Sequence, residues 1–124
     1  MGQHYICRSD ELREGERRIV EVGGRTYGIF RIDGQLRAYL NECPHQGGPV
    51  CEGLLIHKVV EVLDDQRRHI ADTFDTNSLN IVCAYHGWEF DIRTGLSSDD
   101  GLFRLRRIKA FEEDGKIYFS PLEK

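Results

Sequence analysis

Two short stretches of the chain gather residues that can hold a metal. Cys43-x-His45 lies within Cys43-Pro44-His45-Gln46-Gly47-Gly48-Pro49-Val50-Cys51-Glu52-Gly53, and Cys83-x-x-His86 lies within Cys83-Ala84-Tyr85-His86-Gly87-Trp88. Each stretch offers one soft thiolate and one borderline imidazole. Adjacent glycines let backbone N–H groups come close, so the donor set suits zinc or an iron–sulfur centre. Structural zinc loops separate paired ligands by roughly two to four intervening residues so that both reach one ion. Cys43-x-His45 has a single intervening residue, a restriction that falls away when each stretch gives one ligand to each of two irons.

The surrounding sequence reads as strands and tight turns that would position these stretches. A single helical turn is expected at Ser9-Asp10-Glu11-Leu12, then strands over Arg18 to Val22, Thr26 to Ile32 and Leu36 to Leu40. Gly23-Gly24 and Asp33-Gly34 separate those strands, and Asp-Gly is a strong hairpin signal because a type I′ turn needs positive φ at both central residues. A second hairpin is expected from Arg107 to Phe111 and Lys116 to Phe119, around Glu113-Asp114-Gly115. Val59 to Leu63 and Asn80 to Val82 read as strands, whereas Asp64 to Arg68 and Asp75 to Ser78 read as exposed turns. No long helical period appears, so the class is all-β.

The blocks CPHQGGPVCEG and CAYHGWEFDIRTG, with YGIFRIDGQLRAYLNE upstream, closely resemble the Rieske ferredoxins over nearly the whole chain. The resemblance implies the Rieske fold: an antiparallel β-sandwich-like base with a smaller cluster-binding lobe over approximately 42–95, all in a single domain, 1–124. It implies a Rieske 2Fe-2S cluster in which Cys43 and Cys83 hold one iron, and His45 and His86 the other. The outer ring nitrogens of the two histidines would reach solvent and mark the electron's exit. Respiratory members carry loop-linking cysteines where this chain has Gly48 and Tyr85, so no bridge is expected between the loops. They also carry a hydroxyl donor to the cluster where Trp88 stands here. Fewer donors to the sulfurs place the potential toward the low end of the range of roughly −150 to +300 mV.

The remaining candidates read more plainly. His4, His57 and His69 have no cysteine at ligand spacing and read as surface or strand histidines. Cys7 reads as a buried apolar thiol, and Cys51 as a packed thiol beside the cluster, since free cysteine packs as a small hydrophobe. Arg104-Leu105-Arg106-Arg107 reads as a solvated strand face. Between His45 and Cys83 stand 37 residues, longer than the family's usual separation, which places an insertion at approximately 57–78. Loop-closure entropy grows only logarithmically, about 0.6 kcal/mol per doubling, so the site survives it. A hairpin of Lys58 to Leu63 and Arg68 to Phe74 is expected there, either a tolerated excursion or a docking element for a redox partner.

At 124 residues with a formal charge of −4 and pI near 5.7, the chain is expected to be one domain that binds neither nucleic acid nor an anionic membrane. No apolar stretch of membrane or secretory type is present, so a reducing, cytoplasmic compartment is expected. A glycine-rich dinucleotide loop is missing, and the 38 residues after His86 cannot hold a mononuclear-iron domain. The chain therefore reads as an electron-transfer component and not an enzyme. The resemblance implies a monomeric one-electron carrier between an NAD(P)H-dependent flavoprotein reductase and a terminal oxygenase, meeting both transiently. The rival readings are a Rieske subunit of a larger reductase, such as the small nitrite-reductase subunit, and a zinc-stabilised interaction module.

Overall fold

A computed structural model describes residues 3–44, 47–83, 87–97 and 103–122, with backbone alone for 58–63 and 69–78. Among them are nine strands: β1 (His4–Arg8), β2 (Arg17–Val22), β3 (Arg25–Ile32), β4 (Gln35–Leu40), β5 (Leu54–Leu63), β6 (His69–Val82), β7 (Glu89–Asp91), β8 (Arg107–Glu113) and β9 (Lys116–Ser120). They form two antiparallel sheets, β1-β9-β8-β4-β3-β2 and β5-β6-β7. The expected all-β class and both expected hairpins are present. Asp33 and Gly34 take φ of 57° and 74°, and Asp114 and Gly115 take 53° and 74°, the positive pairs that such turns demand.

The six-stranded sheet folds over itself at β8. Arg107 and Ile108 pair with β4, whereas Lys109 to Glu113 pair with β9. Cys7, Ile117 and Phe119 are thereby brought against Tyr27, Ile29 and Leu40 in one apolar core, as the reading of Cys7 as a packed thiol expected. A second core joins Phe30, Ile32 and Tyr39 to Val50, Cys51, Ile81, Phe90, Ile92 and Leu105. Strands β3 and β4 serve both: Tyr27 and Ile29 face the first core, and Phe30 and Ile32 the second. This double coverage explains why Tyr27 to Phe30 are buried without a break, where a half-exposed strand would alternate. Each of these large side chains contributes about 1.5–3 kcal/mol by leaving water.

The second core closes on β3 only because residue 28 lacks a side chain. A Cβ at Gly28 would stand 2.4 Å from Cys51 Cβ and 2.7 Å from its Sγ. The Cys51 thiol lies over the β3–β4 backbone, donating at 3.7 Å and 3.8 Å to the carbonyls of Tyr39 and Leu40. Burial pushes this thiol up to about 12, against the opposing pull of the Gly28 N–H and the Arg17 charge.

The insertion forms a ribbon of β5 and β6 that runs far beyond β7, which pairs only with Asn80 to Val82. Its turn follows the expectation: Asp64 accepts from the Gln66 and Arg68 N–H groups, each at 2.8 Å, and pairs with the Arg68 guanidinium. Asp75 to Ser78 do not form the exposed turn that their composition suggests; they lie within β6. The ladder passes from Lys58↔Asp75 to Ile56↔Asn80, so β6 spends five residues where β5 spends two. The turn-forming residues supply a bulge instead of a chain reversal.

Two tests follow from the packing. Gly28→Ala should cost about 3 kcal/mol by overpacking, and adding Cys51→Gly should recover at least about 1 kcal/mol of the summed single losses. Strictly additive losses in thermal unfolding at a fixed scan rate would contradict the contact. Arg31 bonds to Glu112 through two guanidinium nitrogens, each at 3.0 Å, and holds that carboxyl below its ordinary 4.5. A lowered carboxylate stabilises the fold above its unfolded value, and that contribution is lost as pH falls through the folded one. Glu112 is partly exposed, so Glu112→Gln should cost at most about 1 kcal/mol near neutral pH, and the cost should shrink as pH falls below 4.5. A constant difference across that range would remove the assignment.

Candidate metal centre

Cys43 and Cys83 enter through backbone frames of the same design. The Cys43 N–H donates to Gly48 O at 2.7 Å, and Cys43 O accepts from the Gly47 N–H at 2.7 Å. The Cys83 N–H donates to Trp88 O at 2.8 Å, and Cys83 O accepts from the Gly87 N–H at 3.1 Å. The glycine four residues after each cysteine has φ of 76° or 69°, the left-handed region that other residues enter at a cost of about 1–2 kcal/mol. Among the described residues a Cβ at either position would meet nothing within 4 Å, so it is the turn that imposes glycine there. Two equal loops thus present two cysteines in the same local setting. Their histidines follow at different offsets, two residues on for His45 and three for His86, and both lie outside the described residues.

Both cysteines belong to the second apolar core, where Cys43 is 5% and Cys83 2% exposed, and neither is in a disulfide. Cys51 shares that core and is 1% exposed, which bears out its reading as a packed thiol. The two loops meet through Gly53. A Cβ there would stand 1.8 Å from Val82 O, the carbonyl that precedes Cys83, so glycine is needed for the end of the first loop to lie on the start of the second.

Long-range side chains fix the first loop from beneath. Arg17 on β2 donates from Nη1 to Cys51 O at 2.7 Å and to Gly53 O at 2.5 Å, its guanidinium 5.5 Å from the centre of the Phe30 ring. Buried Asn41 accepts the Cys51 N–H at 2.8 Å and donates to Glu52 and Thr26. On the other side, Tyr39 donates its hydroxyl to Ile92 O at 2.6 Å. Burial holds that phenol above its ordinary value, which keeps the donor proton in place. In the second loop, Trp88 stacks with Phe90 at 6.4 Å and meets Phe103 edge-on at 4.9 Å.

Of the residues singled out from sequence, the structure brings Cys43, Cys83 and Cys51 together and leaves Cys7 in the other core. His4 and His57 are exposed, as expected, and His4 packs on Phe119. Arg17 and Asn41 carry no signal in the sequence, and the glycines beside the ligands, expected to let backbone N–H groups come close, also supply at Gly47 and Gly87 the left-handed turn after each cysteine. Superposing the motifs on their cysteines would have shown the glycines, each four residues on. Arg17 acts across 34 residues of chain and leaves no local signal.

Matched frames, each delivering a thiol into one dry core, fit a group that takes a cysteine from both loops. Among the described residues no three Cys, His, Asp or Glu gather to hold a metal by themselves.

Comparison with known proteins places the chain in a family. The sequence matches the Rieske [2Fe-2S] domain over residues 2–101. It is 24% identical over 121 residues to the ferredoxin component of the alkene monooxygenase system of Xanthobacter autotrophicus, covering 96% of this chain and 83% of that one. It is 27% identical over 114 residues to apoptosis-inducing factor 3 of Homo sapiens, covering 91% of this chain but only 15% of that longer protein. Among solved structures, the ferredoxin of carbazole 1,9a-dioxygenase from Nocardioides aromaticivorans superposes with a TM-score of 0.69 at 20% identity, covering 98% of this chain and all of that one. A ferredoxin in complex with the oxygenase of carbazole 1,9a-dioxygenase gives 0.67 at 22%, covering 98% of each. The all-β architecture is that of the Rieske ferredoxins. With the match extending over most of its length, the chain belongs to the Rieske [2Fe-2S] domain family, and its cofactor is a Rieske 2Fe-2S cluster.

Proposed function

We propose that the chain is a one-electron carrier that takes electrons from an NAD(P)H-dependent flavoprotein reductase and passes them to a terminal oxygenase. Cys43 and Cys83 ligate one iron, and His45 and His86 the other. The observation that carries this reading is the pair of equivalent cysteine frames in one buried core. The 2Fe-2S cluster supplies reversible one-electron chemistry when bound. The protein's contribution is to hold both loops rigid and dry: Arg17 and Asn41 fix one, the Gly53–Val82 contact joins it to the other, and Trp88 packs the second against Phe90 and Phe103.

The cluster-binding lobe runs over approximately 42–95, interrupted by the insertion at 57–78, within one domain. Carriers of this kind meet partners through small, short-lived interfaces, which suits a monomer. Four cysteines outside any disulfide suit a reducing, cytoplasmic compartment, and no described helix is long and apolar enough to cross a membrane. The ferredoxin relatives that serve monooxygenase and dioxygenase systems support the oxygenase as electron acceptor.

Anaerobically purified protein should contain two irons and two acid-labile sulfides per chain and restore turnover when combined with a matching reductase and oxygenase. Cys43→Ser, Cys83→Ser, His45→Ala and His86→Ala should each abolish the visible spectrum of the cluster, whereas Cys7→Ser and Cys51→Ser should keep it. A colourless protein holding one zinc would overturn the proposal. So would a full cluster in Cys43→Ser. The midpoint potential should fall near the bottom of the family's range, about −150 mV, because Trp88 stands where respiratory members carry a hydroxyl donor to the cluster, and Gly48 and Tyr85 stand where they carry loop-linking cysteines. A value well above zero would reject that account.

A further inference from the structure

The cations that the carrier function leaves unused gather where β8 parts from β4. The β4–β8 ladder consists of Tyr39↔Arg107 and Ala38↔Ile108. The next register position would set Arg37 against Lys109, and like charges facing each other across a ladder are destabilising. Pairing with β4 stops there and Lys109 pairs with Ser120 of β9 instead. An open groove of about 210 Å³ lies at this point, with Arg37, Arg107 and Lys109 along it and Leu36 and Ala110 at its edges.

Nothing acidic among the described residues neutralises it. Arg37 Nη1 and Arg107 Nη2 both donate to one acceptor, the backbone carbonyl of Arg93, at 3.3 Å and 3.2 Å. Arg37 Nε is buried with no hydrogen-bond partner, the one such side-chain nitrogen or oxygen among the described residues. A buried cationic donor left unpaired is costly unless another acceptor completes it. Asp33 feels the Arg37 charge at longer range, but its carboxylate is held by Arg93. Elsewhere Arg8, Arg25, Arg31, Arg68 and Arg93 all stand in ion pairs. The exposed Arg104 and Arg106 add to the same basic stretch just before β8. In a chain of net charge −4, this is a local reversal of sign.

We propose that this groove docks a carboxylate-rich surface of a redox partner protein, an inference that rests on the carrier reading. Guanidinium groups bond carboxylates in pairs, so a partner's carboxylates would give Arg37 and Arg107 charged acceptors beyond the single Arg93 carbonyl they share. The exposed Arg107 and Lys109, with the half-buried Arg37 between the diverging strands, form an open surface and not an enclosure for a small anion, and a patch opposite in sign to the rest of the chain orients an approaching partner. Leu36, Ala38, Ile108 and Ala110 of the groove pack in the first core, while Tyr39, cross-strand from Arg107, belongs to the core that contains Cys43 and Cys83.

The test is a titration of ¹⁵N-labelled, cluster-loaded protein with an oligoglutamate peptide, with oligoglutamine and inorganic phosphate as parallel probes. Oligoglutamate should shift the amides of 36–38 and 107–110, and Arg107→Glu with Lys109→Glu should weaken it about tenfold or more with the visible spectrum unchanged. Both side chains are exposed, and because Arg107 also bonds the Arg93 carbonyl, Lys109→Glu alone, which should weaken the peptide in the same direction, is the variant that leaves the fold's hydrogen bonds intact; so should Arg37→Gln. Undiminished binding in the double variant, shifts confined to other surfaces, no binding, or phosphate saturating the same amides as tightly would each overturn the proposal. The titration reads amides and not electron flow. A wild-type protein without a cluster spectrum would therefore count against the carrier reading separately.

Discussion

Strands β3 and β4 are covered on both faces, and the rest of the molecule is organised around that constraint. One face completes the core of the folded-over six-stranded sheet, and the other supplies the floor on which the cysteine loops rest. A strand buried on both sides has no solvent face to absorb a misfit, so a single clash is transmitted to both cores. Gly28 is where the tolerance is narrowest. Its missing side chain is the space occupied by Cys51, and Cys51 in turn fixes the height of the first loop above the sheet. The packed thiol of Cys51 is thus also a spacer, and it is held protonated by the burial that makes it one.

The two cysteine loops are held by different means that converge on the same result. The first is tied to β2 and β4 by side chains bonding its backbone, Arg17 and Asn41. The second is continuous with β6 and is wedged between Phe90 and Phe103 through Trp88. Their identical internal hydrogen bonds mean that each cysteine sits on a turn that is complete in itself. Tertiary contacts then need only set the relation between two preformed units, and Gly53 against Val82 does so directly. A centre whose surroundings are fixed in advance has little reorganisation to undergo when its charge changes, which is the property a one-electron carrier requires.

Much of this was legible in the sequence because it depends on local chemistry. The Asp-Gly turns, the strands that flank them and the two Cys/His stretches are all encoded by neighbours in the chain, and the resemblance to Rieske ferredoxins rested on those same blocks. What escaped notice is non-local. The double burial of β3 shows only as an apolar run around Gly28, which composition cannot distinguish from an ordinary half-exposed strand. Arg17 looks like any charged strand residue until its two carbonyl partners, 34 and 36 positions away, are brought to it. Asp75 to Ser78 have the composition of a turn, and local propensity has no means of seeing that an already paired partner strand converts the same residues into a bulge.

That bulge also explains how the centre tolerates a long insertion. The ribbon is rooted at Leu54↔Val82, the pair that lies immediately after Gly53 and immediately before Cys83. Whatever length of hairpin is added beyond that pair, the two residues at its root remain cross-strand neighbours, so the separation of the cysteine loops does not depend on how far the ribbon extends. The register break between Ile56 and Lys58 then separates the distal ladder from the root, since a displaced or twisted outer portion can be accommodated at the bulge before it reaches Val82. Beyond β7 the ribbon has only its own two strands, and a lone pair of strands is marginally stable in water. Its length is therefore limited by the stability of the ribbon, while the metal centre is defined by the residues at its base.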